Sequence, residues 1–194
     1  MEIPAVAMRK QTGFSLIELT VIVAILGITA LVVIPDFSSI DPQKLELAAN
    51  RVAEAIRYAK RDAIRTGGIR GVLVDTDDGE PLGKDITVFE PDLSASPFGI
   101  LAKLTHPVSK QPYDFFLEQS STTSGVKFAS SAMPFSFEGV SGSQKNLFFT
   151  AQGAPVWLED SVLSRFTGGD IQLTYGGQDI TIIIQPVTGR VMVQ

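Results

Sequence analysis

A chain of 194 residues has room for one domain with its own core plus an appendage, and is short for two full domains. Its 16 basic and 21 acidic residues give a formal charge of −5, and an acidic excess is not the surface that binds nucleic acid. The absence of cysteine excludes a disulfide framework, a thiolate metal cluster and a thiol nucleophile.

The first informative element is apolar. From Phe14 to Ile34 run 21 residues whose only charge is Glu18. As a helix rising about 1.5 Å per residue, such a stretch covers roughly 30 Å, the thickness of a bilayer core. Arg9 and Lys10 lie just before it, and no basic residue follows until Lys44. That bias holds the N-terminus in the cytoplasm and sends the remainder across. A secretory signal removed whole would need a small-x-small site after the run, where Ile34-Pro35-Asp36-Phe37 stands instead. A plain anchor leaves Glu18 without a reason, since a charge inside a spanning helix costs about 2.5–3.5 kcal/mol even on lenient scales.

The segment Lys10-Gln11-Thr12-Gly13-Phe14-Ser15-Leu16-Ile17-Glu18-Leu19 resembles the signal of type IV prepilins and type II secretion pseudopilins. The resemblance implies cleavage after Gly13 by a prepilin peptidase and methylation of the new amino terminus at Phe14. Cleavage creates a cation beside or inside the bilayer, and Glu18 can supply its counter-charge within one chain or between neighbours. A carboxylate that reaches the membrane surface is the plainer alternative. The family often has a glycine within this helix and a proline at its end, matched by Gly27 and Pro35. Both residues weaken a helix, so they mark either a bend or a tight packing point.

Asp41-Pro42 restarts a helix and Gly67-Gly68 stops it, which predicts a helix over 42–66. Leu45, Ala48, Ala49, Val52, Ala55, Ile56, Ala59, Ala63 and Ile64 recur at helical steps as one apolar face. Arg51, Glu54, Arg57, Arg61 and Asp62 fall mainly elsewhere. Arg51, Arg57, Lys60, Arg61, Arg65 and Arg70 alternate with Glu46, Glu54 and Asp62, a pattern of a solvated helix face, or of pairing with acidic residues on a neighbouring subunit, more than of a phosphate-binding face.

Beyond Gly68, short apolar runs between Gly, Pro, Ser and Asp predict antiparallel strands. They fall at 69–75, 85–90, 113–118, 125–129, 134–138, 146–150, 154–158, 170–175, 179–185 and 190–193, with a hairpin at Tyr175-Gly176-Gly177-Gln178. Helix-then-strand order, with Ala63, Gly67, Gly153 and Thr188-Gly189-Arg190, is similar to the GspH/FimT-type minor pilins and pseudopilins. In that comparison 91–124 is an inserted connection where individual specificity is expected.

The resemblance implies an α+β, pilin-like fold: a long N-terminal helix, membrane-spanning in its first half, packed on an antiparallel β-sheet. Its parts would be a cleaved leader over 1–13, a membrane and filament-core helix over 14–35, an amphipathic helix over 36–68, and a β-rich extracytoplasmic domain over 69–194. The implied subunit is a minor pilin or pseudopilin of a type II secretion pseudopilus or a type IV pilus. It would start as a single-pass inner-membrane protein with its globular domain in the periplasm, then move from the lipid bilayer into the filament. Its implied partners are the peptidase, other pilin subunits and an inner-membrane assembly platform. An adhesive or DNA-capturing minor pilin is the alternative reading.

Enzyme chemistry has little to rest on. His106 is the only histidine, and neither a Gly-x-Ser-x-Gly elbow nor a phosphate loop is present. Asp75-Thr76-Asp77-Asp78-Gly79-Glu80 carries the carboxylates of a calcium loop, but the glycine comes one place early and Ile86 stands where a closing Glu belongs. An acidic hairpin turn is the favoured reading. Because related pseudopilins include calcium binders, calcium remains the second one.

Overall fold

The computed structural model describes residues 15–33, 41–76, 85–95, 99–118, 120–130, 133–159 and 162–194, without the side chains of 27–33 and 41–42. The chain divides into two compact units, 1–38 and 39–194. In the first unit helix α1 spans Leu16–Val33. It has no polar face, and Leu16, Ile17, Leu19, Val21, Ile22, Val23, Ile25 and Leu26 are all exposed. Among the described residues no helix is long and apolar enough to cross a membrane. The side chains described in α1 stop at Leu26, short of the full run of 14–34 on which the expectation of a span rests.

The second unit opens with α2, Asp41–Thr66, and continues as strands. These are β1 (Arg70–Val74), β2 (Ile86–Asp92), β3 (Gly99–Lys103), β4 (Asp114–Phe115), β5 (Lys127–Phe128), β6 (Phe135–Phe137), β7 (Asn146–Phe149), β8 (Pro155–Glu159), β9 (Val162–Tyr175), β10 (Gln178–Ile184) and β11 (Val191–Val193). All pairings are antiparallel, in the order β11-β10-β9-β8-β7-β1-β2-β3, with β4 beside β2, and β5 and β6 beside β9. A long helix followed by an antiparallel sheet is the α+β arrangement expected from the sequence.

Helix α2 is amphipathic where α1 is not, and its apolar stripe faces the sheet. Leu45, Ala48, Ala49, Val52, Ala53, Ala55, Ile56, Ala59 and Ala63 are buried against β1, β2 and β7 on one side and β9, β10 and β11 on the other. Alanine keeps this helix close to the sheet. Gly71 does the same from within β1, where a Cβ would stand 2.5 Å from the Phe89 ring. Two assignments on the stripe need correction. Ile64 is 50% exposed and Asp62 only 6% exposed, with Arg70 at the start of β1 as its partner.

β9 belongs to two halves of the sheet. Val162–Arg165 pairs with β8 and Asp170–Tyr175 pairs with β10, while β6 lies against the middle. Gly169 permits this crossing, since a Cβ there would meet the Pro134 carbonyl oxygen at 2.5 Å. Around the crossing Phe135, Phe137, Phe166, Trp157 and Phe148 pack as tilted and edge-on rings with centroids 5.5–6.3 Å apart.

Several sequence boundaries shift. β9 begins eight residues before the expected 170, because Gly168-Gly169 reads as a break and is a passage between partners. The expected strands at 113–118 and 125–129 shrink to residue pairs. The stretch 91–124, expected as an inserted connection, contains β3 and β4. The hairpin at Gly176-Gly177 is where it was expected, with φ of +58° and +80° at the two glycines.

Candidate functional site

The functional signal of the sequence lies at the N-terminus. α1 starts on the bond from the Leu19 N–H to the Ser15 carbonyl at 3.2 Å, and the Thr20 hydroxyl folds back to the Leu16 carbonyl at 2.8 Å. Thr20 thereby satisfies its hydroxyl within its own helix, as an apolar environment requires. Glu18 stands in the first turn, where a carboxylate meets the partial positive charge of the helix start, and it is exposed. Gly27 lies inside α1. Gly13, Phe14 and Pro35 lie outside the described residues.

A helix that is apolar on every side is stable only in an apolar surrounding. In the first unit Glu18 is therefore the one described side chain from Leu16 to Leu26 able to carry charge, set among exposed Leu16, Ile17, Leu19 and Val21. The arrangement combines a covering surface that lacks direction with a single charged point that has it.

In the second unit Gly153 and Thr188-Gly189 meet in space beside the end of α2. Gly67 ends α2 at φ +69°. A Cβ at Gly153 would stand 2.8 Å from Ile64 and 3.0 Å from Lys60, and one at Gly189 would stand 2.9 Å from Phe149 and 3.1 Å from the Gly153 carbonyl oxygen. The Lys60 ammonium donates to the Thr188 carbonyl at 2.7 Å, and Arg57 donates to the Val191 carbonyl at 3.1 Å. Val187, just before Thr188 and at φ +69°, is spanned by a bond from the Thr188 N–H to the Pro186 carbonyl, the strained kind of γ-turn. Gly153 and Thr188-Gly189 thus clamp the last hairpin to α2.

The basic residues of α2 are largely engaged within the fold. Asp62 accepts from Arg70 Nε at 2.7 Å and from Arg65 Nη2 at 2.6 Å, and Arg70 also reaches Glu90 at 3.3 Å. Burial pushes the Asp62 carboxyl up, but the hydrogen bonds from Arg70 and Arg65 outweigh it and hold the group below its ordinary value. Arg61 pairs with Glu54, and Arg51 lies 4.1 Å over the Phe115 ring. Burial pushes Tyr113, packed between Tyr58, His106 and Phe115, up to about 12. The sequence reading missed Asp62, whose one available signal was Arg65 three residues on. Asp75 pairs with Lys145 at 2.7 Å, while Asp77, Asp78, Gly79 and Glu80 of the acidic turn lie outside the described residues. Among the described residues no group of three or more histidine and carboxylate side chains could hold a metal ion.

Residues 8–34 match the prokaryotic N-terminal methylation motif. No curated protein matches the chain. Two crystal structures of the type IV minor pilin FimU from Pseudomonas aeruginosa are similar, each at 16% sequence identity. One likeness covers 79% of this chain and 90% of that one at a TM-score of 0.43, the other 77% and 92% at 0.40. The chain therefore carries the methylation motif of type IV pilins at the head of a helix-plus-antiparallel-sheet fold.

Proposed function

We propose that the chain is a minor pilin or pseudopilin, a structural subunit of a type IV pilus or type II secretion pseudopilus that catalyses no reaction itself. The observation that carries this reading is the methylation motif over 8–34, whose helix is apolar on all sides apart from Glu18. Residues 1–13 act as the leader. A prepilin peptidase cuts after Gly13 and methylates Phe14. Residues 14–35 span the inner membrane, the amino end stays cytoplasmic, and the globular domain stands in the periplasm until an assembly platform moves the subunit into the filament.

Glu18 gives the step its direction. Cleavage leaves a cation at Phe14, four residues ahead of Glu18. In the low-dielectric core of a filament, a free carboxylate on one helix selects the amino terminus of a neighbour, and removing either partner leaves the other charge uncompensated. The remaining apolar surface of α1 accepts lipid before assembly and other helices after it. Gly27 and Pro35 set where that helix bends or packs closely.

Mass spectrometry of the chain purified from its own membranes tests the reading at its source. The expected mature N-terminus is N-methyl-Phe14; an intact leader, or cleavage beyond Ile34, would remove the proposal.

A further inference from the structure

A cleft of about 600 Å³ lies between the second half of α2 and the loop that follows β3. Its wall is aromatic and braced from behind. Half-buried Tyr58 from the helix and His106 from the loop both stand against buried Tyr113, with ring centroids 5.1 and 4.5 Å from it. The Tyr58 hydroxyl donates to the Thr105 carbonyl at 2.9 Å and so ties helix to loop. His106 Nδ1 accepts from the Val108 and Ser109 N–H groups at 3.3 and 3.2 Å, which leaves Nε2 as the donor of the ring. The Lys110 N–H donates to the His106 carbonyl at 3.1 Å, which keeps Lys110 at φ +59° with its side chain exposed at the rim.

The rim alternates in charge. Glu54 pairs with Arg61, and Asp62 pairs with Arg65. Among the described residues no carboxylate pairs with Lys110. Three cations against two carboxylates leave one positive charge over, and Lys110 carries it. Thr105 and the two carboxylates supply acceptors, while Lys110, the two arginines and His106 supply donors.

These features select among occupants. A nucleic-acid strand brings a negative charge at every phosphate, and Glu54 and Asp62 repel it. An apolar peptide covers the rim without meeting its charges, which is costly. A sugar ring with one carboxylate, within a glycan that is otherwise neutral, satisfies each part. Its hydroxyls both donate and accept, as an alternating rim requires, and its C–H face lies on an aromatic ring. Its one negative charge answers the one cation left over. The braced wall adds to this, because little order has to be imposed on binding.

We propose that the cleft binds a single carboxylate-bearing sugar residue of a glycan. The carboxylate lies on Lys110, the hydroxyls on the Arg61–Glu54 pair and His106 Nε2, and the ring over Tyr58. The cleft belongs wholly to the second unit, 39–194, so the site goes beyond the filament-subunit reading and does not depend on it.

Titration calorimetry on the full-length chain in detergent tests the site with two pairs of probes, sialyllactose beside lactose and cellobiouronic acid beside cellobiose. At least one acidic sugar is expected to bind about tenfold or more tighter than its neutral counterpart, and to weaken as salt rises. Lys110→Asn, a change that suits the same positive φ, should reduce that binding about tenfold with an unchanged unfolding midpoint, and Lys110→Arg should retain it. Binding of neither acidic sugar, equal binding of a neutral counterpart, or full binding by Lys110→Asn would overturn the assignment. So would tighter binding of a short oligothymidylate than of either acidic sugar. The mature N-terminus of the same sample, read by mass spectrometry, reports on the filament reading separately.

Discussion

Helix α1 exposes Leu16, Ile17, Leu19, Val21, Ile22 and Ile25 around its circumference, while α2 buries Ala48, Ala49, Val52, Ile56 and Ala59 along one stripe and shows charge elsewhere. The contrast separates two sources of stability. Helix α2 is held by a sheet made from its own chain, so its sequence records that sheet as periodicity. In the proposed filament subunit helix α1 is covered by molecules outside the chain, and its sequence records only that they are apolar. The one directional mark on it is Glu18.

The sharpest way to break the contrast is Glu18→Ala. Incorporation into filaments, measured on sheared material, should fall by about tenfold or more if the pair in the filament core is worth even a few kcal/mol. Cleavage and the melting of the globular domain should stay unchanged. Normal assembly by this variant would leave α1 without direction and end the pairing argument.

Asp62→Ala acts on the other helix. It leaves Arg70, 11% exposed, with Glu90 as its remaining acidic partner, and should cost about 2 kcal/mol in denaturant unfolding of the globular domain while leaving processing at Gly13 intact. The same group predicts a pH dependence. Because the carboxyl is held below its ordinary value of 3.8, its contribution is complete above that value and is lost as pH falls through the lower folded one. In the Asp62→Asn variant this part of the acid destabilisation should disappear.

Ala59→Leu adds volume where α2 meets the sheet and should cost about 2 kcal/mol. Ile64→Ser, half-exposed at the end of the same helix, should change stability by only about 0.5 kcal/mol. A reversed order of these two, read from urea midpoints, would move the buried stripe away from where the structure puts it.

What could be read from the sequence follows the same division. The stripe on α2 was legible because burial repeats with the helix, and Glu18 because a charge inside an apolar run is conspicuous. Asp62 was misread, since a carboxylate scores as surface and its buried partner Arg70 lies beyond the Gly67-Gly68 stop. Strand β3 escaped because Ile100, Leu101, Ala102 and Lys103 are all exposed, so no alternation marks it. Residues 162–169 escaped because glycine usually ends a strand, and Gly169 instead lets β9 pass close beneath Pro134.

The clamp from Lys60 and Arg57 to Thr188 and Val191 joins residues 128 and 134 positions apart in the chain. A ribosome makes α2 well before the strands that cover half of its stripe, β10 and β11. Contacts of such long sequence separation form slowly. Until β10 and β11 have emerged the chain therefore presents a finished amphipathic helix with half its cover missing, and β11 acts as the latch that completes that cover.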